Sequence, residues 1–306
     1  MQIRIGTRAS ALARWQADWV AAQLKLAGAD VELVLISTQG DRRQDTAGDM
    51  GSPGIFTKEI QRALLDSRID VTVHSLKDLP TDEVPGLSLA AVPPRAPVWD
   101  CLIGPYGMLD ALPQGARVGT GSLRRRAQLC HIRPDLRMQD LRGNVETRLR
   151  KLSEGQCDAI VLAQAGLERL GLSSHIAQIL PSSVLLPAVG QGALGLETRS
   201  DDVAIRQIVE TLNDPATKNA VVAERSLLAA LHGGCLAPIA AWGRMENNRL
   251  VLTSRVLSVD GRQRLEATAG GDPRDAVSLG CRVAEELCRQ GAAELIAASR
   301  VEPPAT

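Results

Sequence analysis

The sequence predicts an α/β protein of two helix–strand lobes followed by a small C-terminal α+β domain. Three observations predict it. Short apolar runs suited to buried strands alternate with helical patterns as far as about residue 212. A proline-rich break, Pro93-Pro94-Arg95-Ala96-Pro97, divides that alternation into two blocks. Beyond it, the pattern changes to a hairpin and one amphipathic helix.

In the first block, residues 2–6 read as a strand. Thr7-Arg8-Ala9-Ser10 leads into a helix from about Ala11 to Leu26, with Ser10 as N-cap and Leu12, Trp15, Trp19 and Leu26 near one face. Unpaired N–H groups at such a helix start favour anions, which makes Arg8 and Ser10 candidates. Val31–Ser37 is a second strand. Thr38–Ile55, rich in glycine and charge, is a loop of lid length, and a helix follows from about Phe56 to Ser67. The strand Ile69–Val73 then runs into Val73-His74-Ser75-Leu76-Lys77-Asp78-Leu79-Pro80. Pro80 blocks an easy continuation into helix. Ser75, Lys77 and Asp78 therefore sit at a strand end, where α/β sheets place ligand groups. The same residues also suit an exposed ion pair, worth about 0–1 kcal/mol. Leu87–Val92 is a further strand.

In the second block, Arg117-Val118-Gly119 ends a strand and Thr120-Gly121-Ser122 opens a helix. Leu136–Leu141 alternates as a strand, and Arg142-Gly143-Asn144 turns into a helix near 145–152. Asp158–Leu162 is a buried strand and Ala163–Leu170 a helix. Ser183–Pro187 reads as a strand leaving the block, followed by the small-residue turn Ala188–Ala193, which permits close backbone approach. A helix through Ile205, Ile208, Val209 and Leu212 breaks at Asn213-Asp214-Pro215. Another ends near Leu231, before His232-Gly233-Gly234-Cys235. Leu250–Val259 and Arg262–Ala269 pair across Asp260-Gly261, and Ala276, Leu279, Val283 and Leu287 mark a last helix face.

Composition narrows the function. The chain is 306 residues, 44% hydrophobic and 23% charged, with zero net charge, so it is globular and carries no global field for nucleic acid or membrane. The cysteines form no C-x-x-C pair and the histidines no H-x-x-x-H spacing, so no metal site is expected. No apolar leader precedes the first strand, and no run approaches the ~18–20 apolar residues of a membrane span. A cytoplasmic protein is expected, and, with no exposed apolar stripe, a monomer.

Local charge is uneven. Arg117–Lys151 holds ten basic residues against three acidic ones, and nine of the ten are arginine, the residue suited to a bidentate grip on carboxylate or phosphate. A multiply anionic ligand follows, or else a solvated basic face. Nucleic acid is disfavoured because no aromatic occurs between Tyr106 and Trp242 to serve as a stacking platform. Cys235, in a Gly-Gly-Cys turn, is a candidate thiolate nucleophile, although most lone cysteines are small buried hydrophobes.

Six stretches, Thr7–Ser10, Val73–Pro80, Gly119–Arg125, Leu141–Val145, Leu186–Ala193 and Gly233–Cys235, resemble those of hydroxymethylbilane synthase, also called porphobilinogen deaminase. They run in that family's order across nearly the whole chain. The resemblance implies two lobes like those of periplasmic binding proteins, at 1–94 with 188–212 and at 95–187, then a domain at 213–306 carrying the cofactor cysteine. It implies a dipyrromethane on Cys235 through a thioether, to which four porphobilinogen units are added head to tail with loss of ammonia, before water releases the product. By resemblance Asp78 is catalytic. Ser75, Lys77, Asp78, Thr120, Ser122, Arg124, Arg125 and Gly143 hold the cofactor. Arg8, Ser10, Arg142, Arg148, Arg169, Gln191 and Phe56 meet substrate. Pro53, Gly121, His232 and the segment Arg95–Asp100 around Trp99 stand where the family usually has other residues. A non-catalytic anion-binding protein and a nucleic-acid binder remain the rival classes.

Overall fold

A computed structural model describes residues 1–37, 57–233 and 237–301. In chain order its first elements are β1 (Gln2–Thr7), α1 (Ala11–Leu26), β2 (Asp30–Leu35), α2 (Lys58–Leu65), β3 (Val71–Ser75), β4 (Leu87–Ala91), β5 (Asp100–Ile103), β6 (Arg117–Gly119), α3 (Leu123–Ile132), β7 (Arg137–Gln139), α4 (Val145–Ser153), β8 (Ala159–Ala163) and α5 (Gln164–Arg169). Then come β9 (Gln178–Leu180), β10 (Leu194–Arg199), α6 (Val203–Glu210), α7 (Pro215–Ala230), β11 (Ile239–Glu246), β12 (Arg249–Leu257), β13 (Arg264–Gly271), α8 (Ala276–Arg289) and α9 (Ala292–Val301). The chain divides into two units, Met1–Ala96 with Ala193–Lys218, and Pro97–Gly192 with Asn219–Thr306.

The first unit is built on a five-stranded sheet of order β2-β1-β3-β10-β4. β1 pairs in parallel with β2 and β3, while β10 runs antiparallel between β3 and β4. Apolar residues alternate along β1 and β3, and the sheet is covered by helices. Ala17, Val20, Ala21 and Leu24 of α1 join Ile3, Ile5, Val71, Val73, Ile205 and Val209 in one cluster. Ile60, Ala63 and Leu64 of α2 join Ile36 and Ile69 in another.

The second unit repeats the pattern with order β7-β6-β8-β5-β9, again with one strand, β5, antiparallel inside it. It also carries the antiparallel sheet β11-β12-β13, whose core is closed by α7, α8 and α9 through Leu227, Leu279, Val283, Leu287 and Ile296. Within this unit, Trp99 meets Trp242 of β11 edge-on at 4.9 Å, and Arg255 of β12 donates to Gln128 of α3 at 2.8 Å. Two like α/β sheets and a small α+β part are therefore present, as the alternation predicts. Among the described residues no helix is long and apolar enough to cross a membrane.

One expected strand is absent and several elements were not expected. Ser183–Pro187 forms no strand. Its backbone is held by side chains instead: Leu186 N–H donates to Gln128 Oε1, and Leu186 C=O accepts from Arg124 and Gln128. β5, β9, β10, β11 and α9 were not anticipated: Asp100 opens β5, β9 is three residues long, Gly195 and the polar Glu197-Thr198 interrupt the apolar pattern of β10, and small residues such as Ala240, Ala241 and Gly243 blur that of β11.

Candidate active site

In the first unit, the C-terminal ends of β1 and β3 carry the candidates. Ser10 caps α1 by accepting from Ala13 N–H at 3.4 Å, and Thr7 Oγ1 donates to Ala13 C=O at 3.0 Å, which sets Arg8 in the turn between. β3 ends at Ser75, and the chain turns through one 3₁₀ turn, Leu76–Asp78. The turn is pinned where Leu76 N–H donates to Ala193 C=O at 3.0 Å. Arg8, Ser10, Ser75 and Asp78 line one cavity of about 90 Å³, together with Gln16 and His74. Gln16 Nε2 donates to Ser75 Oγ at 2.8 Å. Asp78 is exposed, and its carboxylate makes no hydrogen bond to any described residue. Lys77 follows Ser75 in the turn but is not among the lining residues.

In the second unit, the glycine-rich turn after β6 places Thr120 and Ser122 before α3, with Thr120 Oγ1 accepting from Ser122 N–H at 3.2 Å. Arg124 and Arg125 are not solvated. They are 3% and 5% exposed and converge on the fully buried Asp100. Arg124 Nη2 lies 2.8 Å from Asp100 Oδ2 and Nη1 donates to Leu186 C=O. Arg125 donates twice to Asp100 Oδ1, at 3.0 and 2.7 Å, and once to Val161 C=O. Gln191 Nε2 joins the same oxygen at 3.0 Å and also donates to Val98 C=O. Burial alone pushes the Asp100 carboxyl up, but the two guanidinium groups outweigh it and hold it at about 2. Burial also pulls Arg124 below its usual value, yet arginine's margin above neutral pH keeps it charged.

The turn before α4 is fixed by glycine. Gly143 has φ +117°, and a Cβ there would lie 2.7 Å from Thr147 Cγ2. Asn144 caps α4 by accepting from Thr147 N–H at 2.8 Å, and Arg148 Nε donates to Gly143 C=O at 2.8 Å. Arg142 stays exposed, paired with Asp140 at 2.8 Å. Arg169 Nη2 donates to Gly192 C=O at 2.8 Å, and burial lowers its guanidinium to about 10. A larger cavity of about 480 Å³, lined by Tyr106, Cys157, Asp158 and His175 among others, contains none of the predicted site residues.

Phe56 and Cys235 lie outside the described residues. The approach to Cys235 is described: α7 ends with His232 N–H donating to Ala229 C=O and Gly233 N–H to Leu228 C=O, with His232 left-handed at φ 50°.

Sequence reasoning missed Asp100, Gln16 and the role of His74. Asp100 had a signal, a carboxylate opening the apolar run Cys101-Leu102-Ile103. Gln16 had a weaker one, a polar residue beside the apolar face of α1 that is 2% exposed.

Comparison with known proteins bears on the same stretches. Residues 3–207 match the family model described as porphobilinogen deaminase, dipyromethane cofactor binding domain, and residues 218–289 match porphobilinogen deaminase, C-terminal domain. The porphobilinogen deaminase of Geobacter sulfurreducens is 47% identical over 299 residues, covering 97% of this chain and 94% of that protein. That of Syntrophotalea carbinolica is 48% identical over 305 residues, covering 98% and 97%. Among solved structures, the methionine-binding protein MetQ superposes with a TM-score of 0.46 at 15% identity, covering 69% of this chain and 89% of its own. With both family models matched in order and near-half identity along almost the full length, the chain belongs to the porphobilinogen deaminase family.

Proposed function

We propose that this protein is a hydroxymethylbilane synthase. It joins four porphobilinogen units head to tail, losing one ammonia at each addition, and frees the linear tetrapyrrole by hydrolysis. The observation that carries the reading is the exposed Asp78 carboxylate in one cavity with Arg8, Ser10 and Ser75.

The chemistry of that set fits a dipyrromethane, which brings pyrrole N–H donors and carboxylate side chains. An unengaged carboxylate matches the donors, while arginine, hydroxyl groups and a helix start match the acids. When bound, the group supplies the pyrrole carbon from which the chain grows. Cys235 would hold it as a thioether and Ser75, Lys77, Thr120, Ser122 and Gly143 would contact it, while Arg124 and Arg125, buried on Asp100, would act on it by bracing the turn before α3. Asp78 accepts substrate N–H groups, stabilises the positive charge that develops as the aminomethyl nitrogen departs, and in its protonated form gives that nitrogen a proton. Arg8, Ser10, Arg142, Arg148 and Arg169 hold porphobilinogen carboxylates, with Gln191 and Phe56 completing the substrate contacts. The working form is a cytoplasmic monomer of three domains, 1–94 with 188–212, 95–187 and 213–306.

Intact mass of the purified protein beside Cys235→Ser tests this. The expected result is an added mass of two linked pyrroles, absent from the variant. A chain that stays bare after incubation with porphobilinogen overturns it and leaves an anion-binding protein.

A further inference from the structure

A second polar set lies beneath the Asp78 cavity. Successive residues of β3 point to opposite faces, so Thr72 and His74 share the face away from Ser75. His74 Nε2 lies 2.8 Å from Glu197 Oε2 of β10 and 2.7 Å from Thr72 Oγ1. Gln61 Nε2 of α2 donates to both Glu197 oxygens, at 3.2 and 3.1 Å. His74 and Glu197 are 5% and 7% exposed. Apolar side chains would fill this space at lower desolvation cost. His74 also lines the cavity that Asp78 lines.

We propose that Glu197 holds His74 as the Nε2–H tautomer, so that His74 Nδ1 gives the cavity a second hydrogen-bond acceptor beside Asp78, for an N–H or ammonium group of the substrate. A carboxylate offers only acceptors, so the ring nitrogen facing it carries the proton, and in the neutral ring the other nitrogen keeps its lone pair. Gln61 donates to both oxygens of Glu197 and fixes its plane. Nδ1 makes no hydrogen bond to any described residue. Porphobilinogen offers a pyrrole N–H and an aminomethyl ammonium. The inference rests on the proposed function for the identity of that donor, and Glu197 acts as a positioning residue.

Nitrogen-15 NMR of the imidazoles tests the tautomer without turnover. The chain has four histidines, and His74→Gln identifies the signal. The expected result is a protonated Nε2 and a bare Nδ1 in the unaltered protein. In Glu197→Gln the proton moves to Nδ1, because the new amide donates to Nε2 while its carbonyl still accepts from Gln61. A proton on Nδ1 in the unaltered protein overturns the inference. Kinetics give the second reading. His74→Asn keeps a polar atom near the Nδ1 position, and His74→Gln keeps one near Nε2, against Glu197. The asparagine variant is expected to retain kcat/KM to within about tenfold, while the glutamine variant loses more than about tenfold. The reverse order assigns His74 a purely structural bond to Glu197 and overturns the inference. Because the NMR arm needs no substrate, its failure is distinct from failure of the Cys235 mass test.

Discussion

Asp100→Asn keeps the shape of the side chain and removes its charge, leaving Arg124 and Arg125 facing each other across a neutral amide. The structure gives the magnitude by two routes. Asp100 is held at about 2 against an ordinary 3.8, and at 1.36 kcal/mol per unit that difference corresponds to about 2–3 kcal/mol of stabilisation at neutral pH. Removing one partner of a buried ion pair costs about 3–5 kcal/mol, because the remaining charge is stranded. The second figure governs here, since two guanidinium groups 3% and 5% exposed have no route to solvent. Urea unfolding at pH 7 should therefore show a loss of about 3–5 kcal/mol. The sign in pH follows from the direction of the shift. Asp100 is more acidic folded than unfolded, so its contribution is complete above 3.8 and disappears as pH falls toward about 2. Asp140→Asn is the control, since Asp140 and Arg142 are 51% and 47% exposed and that pair is worth less than about 1 kcal/mol. A loss in Asp100→Asn no larger than in the control would refute the reasoning.

Three further outcomes follow from other parts of the molecule. Asp78→Asn should lower kcat by about 10²–10⁴-fold while thermal unfolding is unchanged, because the exposed carboxylate makes no bond to a described residue; near-normal turnover would remove Asp78 from the chemistry. Glu224 is fully buried and accepts from Gly190 N–H and Gly243 N–H, each at 2.7 Å, so Glu224→Gln turns an N–H against one of these donors and should cost about 1–3 kcal/mol in denaturant titration. His232→Gly relieves a left-handed residue at the end of α7 and should raise stability by about 1 kcal/mol, read as a higher thermal midpoint.

The alternation of apolar strands with helices made the parallel strands β1, β2, β3, β6, β7 and β8 and the edge strand β4 legible, while β5 and β10, which run antiparallel inside the sheets, and the three-residue β9 were not. The position of Ser10 was legible as a cap, and Arg142-Gly143-Asn144 as a turn into helix, for a local reason: the bond Ser10 or Asn144 makes spans three residues. What escaped depends on partners far apart in sequence. Nothing near Ser183–Pro187 announces that its backbone is held by Gln128 and Arg124 rather than by a neighbouring strand. Nothing near His74 announces Glu197, which lies 123 residues further along the chain yet 2.8 Å away. Of the candidates, Arg8, Ser10, Ser75 and Asp78 meet in one cavity because each lies at a strand end or within three residues of one.

The basic segment shows why a charge count along the chain differs from charge in space. Arg117–Lys151 has a surplus of seven positive charges by sequence. Three carboxylates from outside it close on that surplus: Asp100 on Arg124 and Arg125, Asp158 on Arg117, and Glu154 on Arg150. Inside it, Asp135 binds Arg133 and Asp140 binds Arg142. The surplus falls from seven to four before any ligand is considered. It is also uneven in kind. Arg124 and Arg125 are committed to a buried carboxylate and to backbone carbonyls, so they act on any ligand through the shape of the turn that Gln191 shares, while Arg142 meets solvent directly. A polyanionic strand of nucleic acid selects a continuous accessible row of cations. A small ligand with a few carboxylates needs only separate, individually braced arginines, and that is the arrangement this segment folds into.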